Sequence, residues 1–128
     1  MKESQVNEEE LKVLEDLLSK TFLNMSICFF KTEQYQKAAE KATASLGHKR
    51  SVKALYRRAQ ANRYRKDYES AISDLEEALT LITPAEEDTK LTILKELELN
   101  KQMDKEYDRQ TQKKMQGFLL NWGLSDDK

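Results

Sequence analysis

Eight cations crowd one short stretch of this chain: Lys49, Arg50, Lys53, Arg57, Arg58, Arg63, Arg65 and Lys66, with no acid until Asp67. Acids gather on either side, at Glu8 to Glu10, at Glu76 and Glu77, and from Glu86 to Asp88. The formal net charge over 128 residues is only −1. Such segregation favours an acidic partner even where the summed field is close to nil. Lys53 and Arg57 stand four apart, which on a helix puts both on one face. Lys20 and Asn24 have the same spacing, and they precede Tyr35 by the same offsets at which Lys53 and Arg57 precede Tyr68. Two kinds of cation beside an amide suit the capture of a carboxylate. Arg offers a planar fork, Lys a point charge, and Asn a donor and an acceptor together. Lys49, Arg50 and Arg58 form a secondary basic surface around this set, although Arg58 diverges from Arg57 by about 100°.

Other chemistries find no footing. The single histidine, His48, cannot build a metal set or a catalytic triad, and is read in a turn after Gly47. The single cysteine, Cys28, reads as a small core residue and fits a reducing compartment. No glycine-rich phosphate loop and no nucleophile–base pair is present, so no catalytic residue, metal or cofactor is expected, and the chain is not read as an enzyme. Met1 to Glu10 is polar and acidic rather than leader-like, and the apolar patch Phe118-Leu119-Leu120 is too short to span a bilayer. A cytoplasmic protein, with the nucleus also open to it, is the expectation.

The elements that must position these residues are helical. Only three Gly and one Pro interrupt a chain that is 35% charged and 38% hydrophobic. Asn7 with Glu10 predicts a capping box, after which Leu11, Leu14, Leu18, Phe22, Met25 and Phe29 form an apolar stripe. A break near Thr32 precedes a second helix through Tyr35, Ala38, Ala39, Ala42 and Leu46, with Gly47 as its stop. The pair recurs as Leu55, Ala59 and Asn62, then Tyr68, Ala71, Ile72, Leu75, Ala78 and Leu79. A last helix starts around Thr83-Pro84-Ala85-Glu86, packs through Leu91, Leu94 and Leu97, and ends near Gly117. The expectation is one all-α domain over 1–128, with repeats at 8–47 and 51–83, a capping and extension helix over 85–118, and a tail over 119–128.

The repeat resembles the tetratricopeptide repeat (TPR). Phe22-x2-Met25-Ser26-x2-Phe29 follows the first half of the family pattern, and Ala71-x3-Leu75-x2-Ala78 follows the second, with Pro84 one place late. Arg58, Asn62 and Ser45 depart from it. The Lys-Ala-Leu-Tyr-Arg-Arg stretch and the final Lys-Lys-Met-Gln-Gly-Phe are similar to the C-terminal TPR region of large immunophilins of the FK506-binding and cyclophilin types. That resemblance implies a dicarboxylate clamp, with Asn24, Lys53 and Arg57 at the family's positions. The partner it implies is the acidic C-terminal tail of a heat-shock chaperone, of the ninety- or seventy-kilodalton class.

The resemblance also implies that the family's first repeat, with a further Lys and Asn, does not precede Glu8. The chain then reads as a fragment of a larger co-chaperone or as a short protein with half a clamp, Lys20 partly replacing the missing lysine. An uncovered first helix would expose an apolar face, from which a homodimer is expected. Two further partners are read from the residues. Lys113, Lys114, Met115, Phe118, Leu119 and Trp122 suit a calmodulin-like groove, with burial of Trp122 inside the chain itself as the alternative. The cluster from Lys49 to Lys66 has the charge for weak nucleic-acid backbone binding but no stacking platform.

Overall fold

The computed structural model describes residues 6–123, and these fold as five α-helices without a strand. They are α1 (Glu8–Lys31), α2 (Tyr35–His48), α3 (Val52–Tyr64), α4 (Tyr68–Leu81) and α5 (Glu87–Asn121). Each helix packs on the next, and α1 also touches α3, as α3 touches α5. The odd-numbered helices thus form one layer and the even-numbered ones the other. This is an all-α helical repeat fold of two helix-turn-helix units closed by a long terminal helix.

Three helix starts follow from local chemistry. The Asn7 side chain accepts from the Glu10 amide at 2.8 Å, with Glu10 reaching back to the Asn7 amide, so the expected capping box forms. Ser51 and Asp67 cap α3 and α4 in the same manner, accepting from Ala54 and Ser70. Within each unit the first helix closes identically. The Gln34 amide donates to the Phe29 carbonyl at 2.9 Å and Asp67 to Asn62 at 2.8 Å, while Glu33 (φ 62°) and Lys66 (φ 64°) take the left-handed conformation between them.

Several boundaries differ from expectation. Gly47 does not stop α2, which runs on to His48 and is capped by extended Lys49, and the Gly47 backbone is not left-handed. His48 is accordingly helical, stacked on the Phe22 ring at 5.6 Å. The last helix begins at Glu87, beyond Pro84, and passes through Gly117 to Asn121. Leu119 to Asn121 therefore belong to the helix rather than to a tail, and residues 124–128 lie outside the described part.

The core is built from small side chains. Ala54, Ala59, Ala71 and Ala78 are fully buried with Leu55 and Leu75, and Leu46, Ile93 and Leu97 complete the cluster. Small residues let helix backbones approach closely, which is the reason for alanine at these positions. Ser45 is explained by Ser19. Their hydroxyls lie 3.0 Å apart, and each donates to the other's backbone carbonyl, Ser45 at 2.7 Å and Ser19 at 3.1 Å. In α5 the buried stripe is Ile93, Glu96, Leu97 and Asn100, repeating the spacing of Leu55, Arg58, Ala59 and Asn62 in α3. Leu91 (51% exposed) and Leu94 (39%) are turned outward, against expectation, because Glu96 and Asn100 occupy the inward places. A buried Glu is tolerable there because Arg63 Nε donates to it at 2.5 Å and Asn100 Nδ2 at 3.0 Å.

Helix α1 carries the exposed apolar face that was expected. Leu11, Val13, Leu14, Leu17 and Met25 are all exposed. Cys28 joins them at the surface, correcting its reading as a core residue. On that helix it falls on the side that no other helix covers.

Candidate functional site

Helices α1 and α3 lie side by side in the same layer, which sets Lys20 and Asn24 beside Lys53. Between them is a pocket of about 290 Å³ lined by Asp16, Ser19, Lys20, Leu23, Asn24, Lys49, Ser51 and Lys53. Three of the four predicted carboxylate-binding residues, Lys20, Asn24 and Lys53, therefore share one concavity. The fourth, Arg57, does not line it. Arg57 stands a turn along α3, half-buried, and its Nη1 donates to Gln60 Oε1 at 3.3 Å. Gln60 in turn donates to the Tyr56 hydroxyl at 3.0 Å, so the guanidinium is held at the end of a short side-chain relay. Burial, with the Glu96 carboxylate nearby, pushes the Tyr56 hydroxyl above its ordinary pKa, so it stays protonated at neutral pH.

The pocket's charge is three lysines against one acid. Asp16 accepts from Lys49 at 2.8 Å and pairs with Lys20 at 3.3 Å. Hydrogen bonds from those two ammonium groups hold its carboxyl below the usual carboxylate range. Lys53 is exposed and has no acidic partner among the described residues, and the Asn24 side chain is exposed without a hydrogen-bond partner among them. What the arrangement can do is accept an anion: an unpaired ammonium and an amide face open water beside two more ammonium groups. An entering carboxylate would compete with Asp16 for Lys20 and Lys49.

The secondary basic surface is not a free patch. Arg50 forks onto Glu77 at 2.5 and 2.7 Å, and Arg58 forks onto the buried Asp74 at 2.7 Å through two nitrogens, with a third donating to Thr43. Lys49 is held by Asp16 and Arg63 by Glu96. Arg50 and Arg58, expected to present cations to a ligand, are each ion-paired with a carboxylate of the fold. Both are tied across helix boundaries within the fold, and Lys49 is shared with Asp16. Sequence reasoning also missed what Arg58 and Asn62 do in place of apolar residues. They line a polar cleft of about 610 Å³ between α2, α3 and α4, together with Arg65, Asp67 and Asp74. No local pattern signals this role, because Arg58 meets its partner Asp74 across the repeat.

No family model matches the chain. Over 78 residues, 57% of its length, the chain is 37% identical to peptidyl-prolyl cis-trans isomerase D of Kluyveromyces lactis. Over 57 residues, 44% of its length, it is 44% identical to outer envelope protein 61 of Arabidopsis thaliana. The matched stretches amount to 21% and 10% of those two proteins, so the chain spans only a small part of the curated relatives it matches.

Proposed function

We propose that this chain is a TPR-type protein-interaction module of the cytoplasm, whose α1–α3 pocket receives the acidic C-terminus of a heat-shock chaperone. The observation that carries the reading is the pocket itself, which gathers Lys20, Asn24, Lys49 and Lys53 around a single acid. Lys53 and Asn24 supply the first contacts because neither has to release an internal partner. Lys20 and Lys49 join as Asp16 is displaced, and Arg57 reaches the peptide from its place beside Gln60. Both the terminal carboxylate and the side chain of a C-terminal Asp are then matched by donors. The likeness to an isomerase named above supports the module and not the reaction, since the matched stretch is about a fifth of that protein.

A backbone-binding role for nucleic acid is less well supported. Lys49, Arg50, Arg58 and Arg63, half of the basic cluster, are already neutralised by carboxylates of the fold.

Calorimetry with an acidic C-terminal peptide, free and amidated, tests the reading. A hydrogen bond to a charged group contributes about 1.5–3 kcal/mol, so Lys53→Ala or Arg57→Ala should weaken binding roughly ten- to a hundredfold. Amidation should do the same. Equal affinity for the two peptides would remove the carboxylate pocket as the binding element.

A further inference from the structure

Two unpartnered apolar stripes lie on helices that do not touch one another. On α1, Leu14, Leu17, Thr21, Met25 and Cys28 recur at intervals of three and four, so they form one line along the helix, with Leu11 at its edge. Leu17 is 57% exposed, Leu14 46% and Leu11 49%. On α5, the face that buries Ile93, Leu97 and Asn100 continues at the same intervals through Tyr107, Thr111, Met115, Phe118 and Trp122. Tyr107 sets its ring edge against Tyr68, 6.1 Å between centroids. Past it, residues 108–116 are exposed throughout, and Met115 (56%), Phe118 (52%) and Trp122 (68%) stand in water.

The two stripes match in length and oppose in charge. Leu11 to Met25 and Tyr107 to Trp122 each extend about 21–23 Å at 1.5 Å per helical residue. At its start α1 carries Glu8, Glu9 and Glu10 against Lys12, whereas past Arg109, which pairs with Glu106, α5 carries Lys113 and Lys114 with no acid. No contact between α1 and α5 exists within the described residues, so the two cannot satisfy each other inside one molecule.

We infer that the projecting end of α5 in one copy seats on the exposed face of α1 in a second copy, giving a head-to-tail association of this chain with itself. Apolar side chains supply the contact area, while the acidic and basic flanks fix which stripe meets which. A parallel pairing of α1 with α1 would bring two acidic helix starts together, and a pairing of α5 with α5 would juxtapose Lys113 and Lys114 with their copies; both are disfavoured. The inference rests on surfaces apart from the peptide pocket, so either can fail without the other.

Sedimentation of the full chain and of Leu17→Glu and Phe118→Glu tests it. Both residues are exposed, and far-ultraviolet circular dichroism checks that helix content is kept, with Leu17→Ser and Phe118→Ser as milder replacements if it is not. The parent chain should associate, each variant should weaken association at least about tenfold, and raising the salt should weaken the parent. An equimolar mixture of the two variants should recover a one-to-one heterodimer, because each keeps the stripe that the other lacks. A parent chain that stays monomeric to roughly 100 μM, a weak contact by ordinary standards, overturns the inference. So does a mixture that fails to recover association, or association sensitive to only one of the two substitutions.

Discussion

Glu96→Ala should be among the most damaging single substitutions in this molecule, although it changes one carboxylate on a helix full of them. The Glu96 side chain is 8% exposed and its Arg63 partner 16%. Its Oε2 accepts from Arg63 Nε at 2.5 Å and from Asn100 Nδ2 at 3.0 Å. Asn100 is fully buried; its Nδ2 also donates to the Glu96 backbone carbonyl at 2.8 Å, while its Oδ1 has no hydrogen-bond partner among the described residues. Removing the carboxylate leaves a guanidinium in a largely dry place, and breaking a buried pair from one side costs about 3–5 kcal/mol. Against a typical total of about 5–15 kcal/mol, that is a large share. Glu96→Gln keeps an acceptor oxygen and loses only the charge, so its cost should be nearer 1.5–3 kcal/mol, the worth of a charged hydrogen bond. The double variant Glu96→Ala with Arg63→Ala should cost less than the sum of the singles, because the stranded partner is gone. Urea unfolding followed at 222 nm, with ΔG extrapolated to water, measures all four. A loss below about 0.5 kcal/mol for Glu96→Ala, the range of ordinary surface substitutions, would refute the reasoning. Strict additivity of the two singles would refute it as well.

Two further outcomes are expected. Glu33→Gly and Lys66→Gly should each stabilise the fold by roughly 0.5–1 kcal/mol, since a side chain in the left-handed region costs about 1–2 kcal/mol and glycine does not carry that cost; thermal melting checks this. Asp16→Asn should raise affinity for an acidic peptide at neutral pH, most at low salt, by releasing Lys20 and Lys49. The same carboxylate steadies the fold, and because its folded pKa lies below the unfolded 3.8, that contribution is complete above the unfolded value. It is lost as the pH falls through the lower folded one. The stability difference between parent and Asp16→Asn should therefore close in acid.

Helix identity was legible in the sequence because it depends on local chemistry. Asn7 with Glu10, and the Tyr35 and Tyr68 registers, need nothing from elsewhere in the chain. Helix ends were less so. Gly47 and Gly117 look like stops, but a glycine ends a helix where its own backbone turns left-handed, and neither does; α2 ends on extended Lys49, and α5 runs on to Asn121, just before the left-handed Gly123. The inward face of α5 was misjudged for a different reason. Counting apolar residues favours Leu91 and Leu94, and nothing local says that a glutamate and an asparagine are buried in their stead. The pocket was partly legible, since equal offsets from Tyr35 and Tyr68 place Lys20, Asn24 and Lys53 together. The fates of Arg50, Arg58 and Arg63 were not, because Glu77, Asp74 and Glu96 reach them from other helices.

The alanine-built interior has a consequence for how binding and folding are linked. An alanine gives up no rotamer freedom on burial, but it also removes little apolar area from water. Cohesion therefore resides in the seams between neighbouring helices. Helices α2, α3 and α4 have a seam on either flank, while α1 and α5 stand at the two ends of the described stack. In such a one-dimensional array the ends fray first and the middle last. Lys20 and Asn24 ride on the fraying end, and Lys53 and Arg57 on the durable centre. A peptide that bridges them acts as a clasp, drawing the first helix onto the stack and raising the temperature at which it lets go.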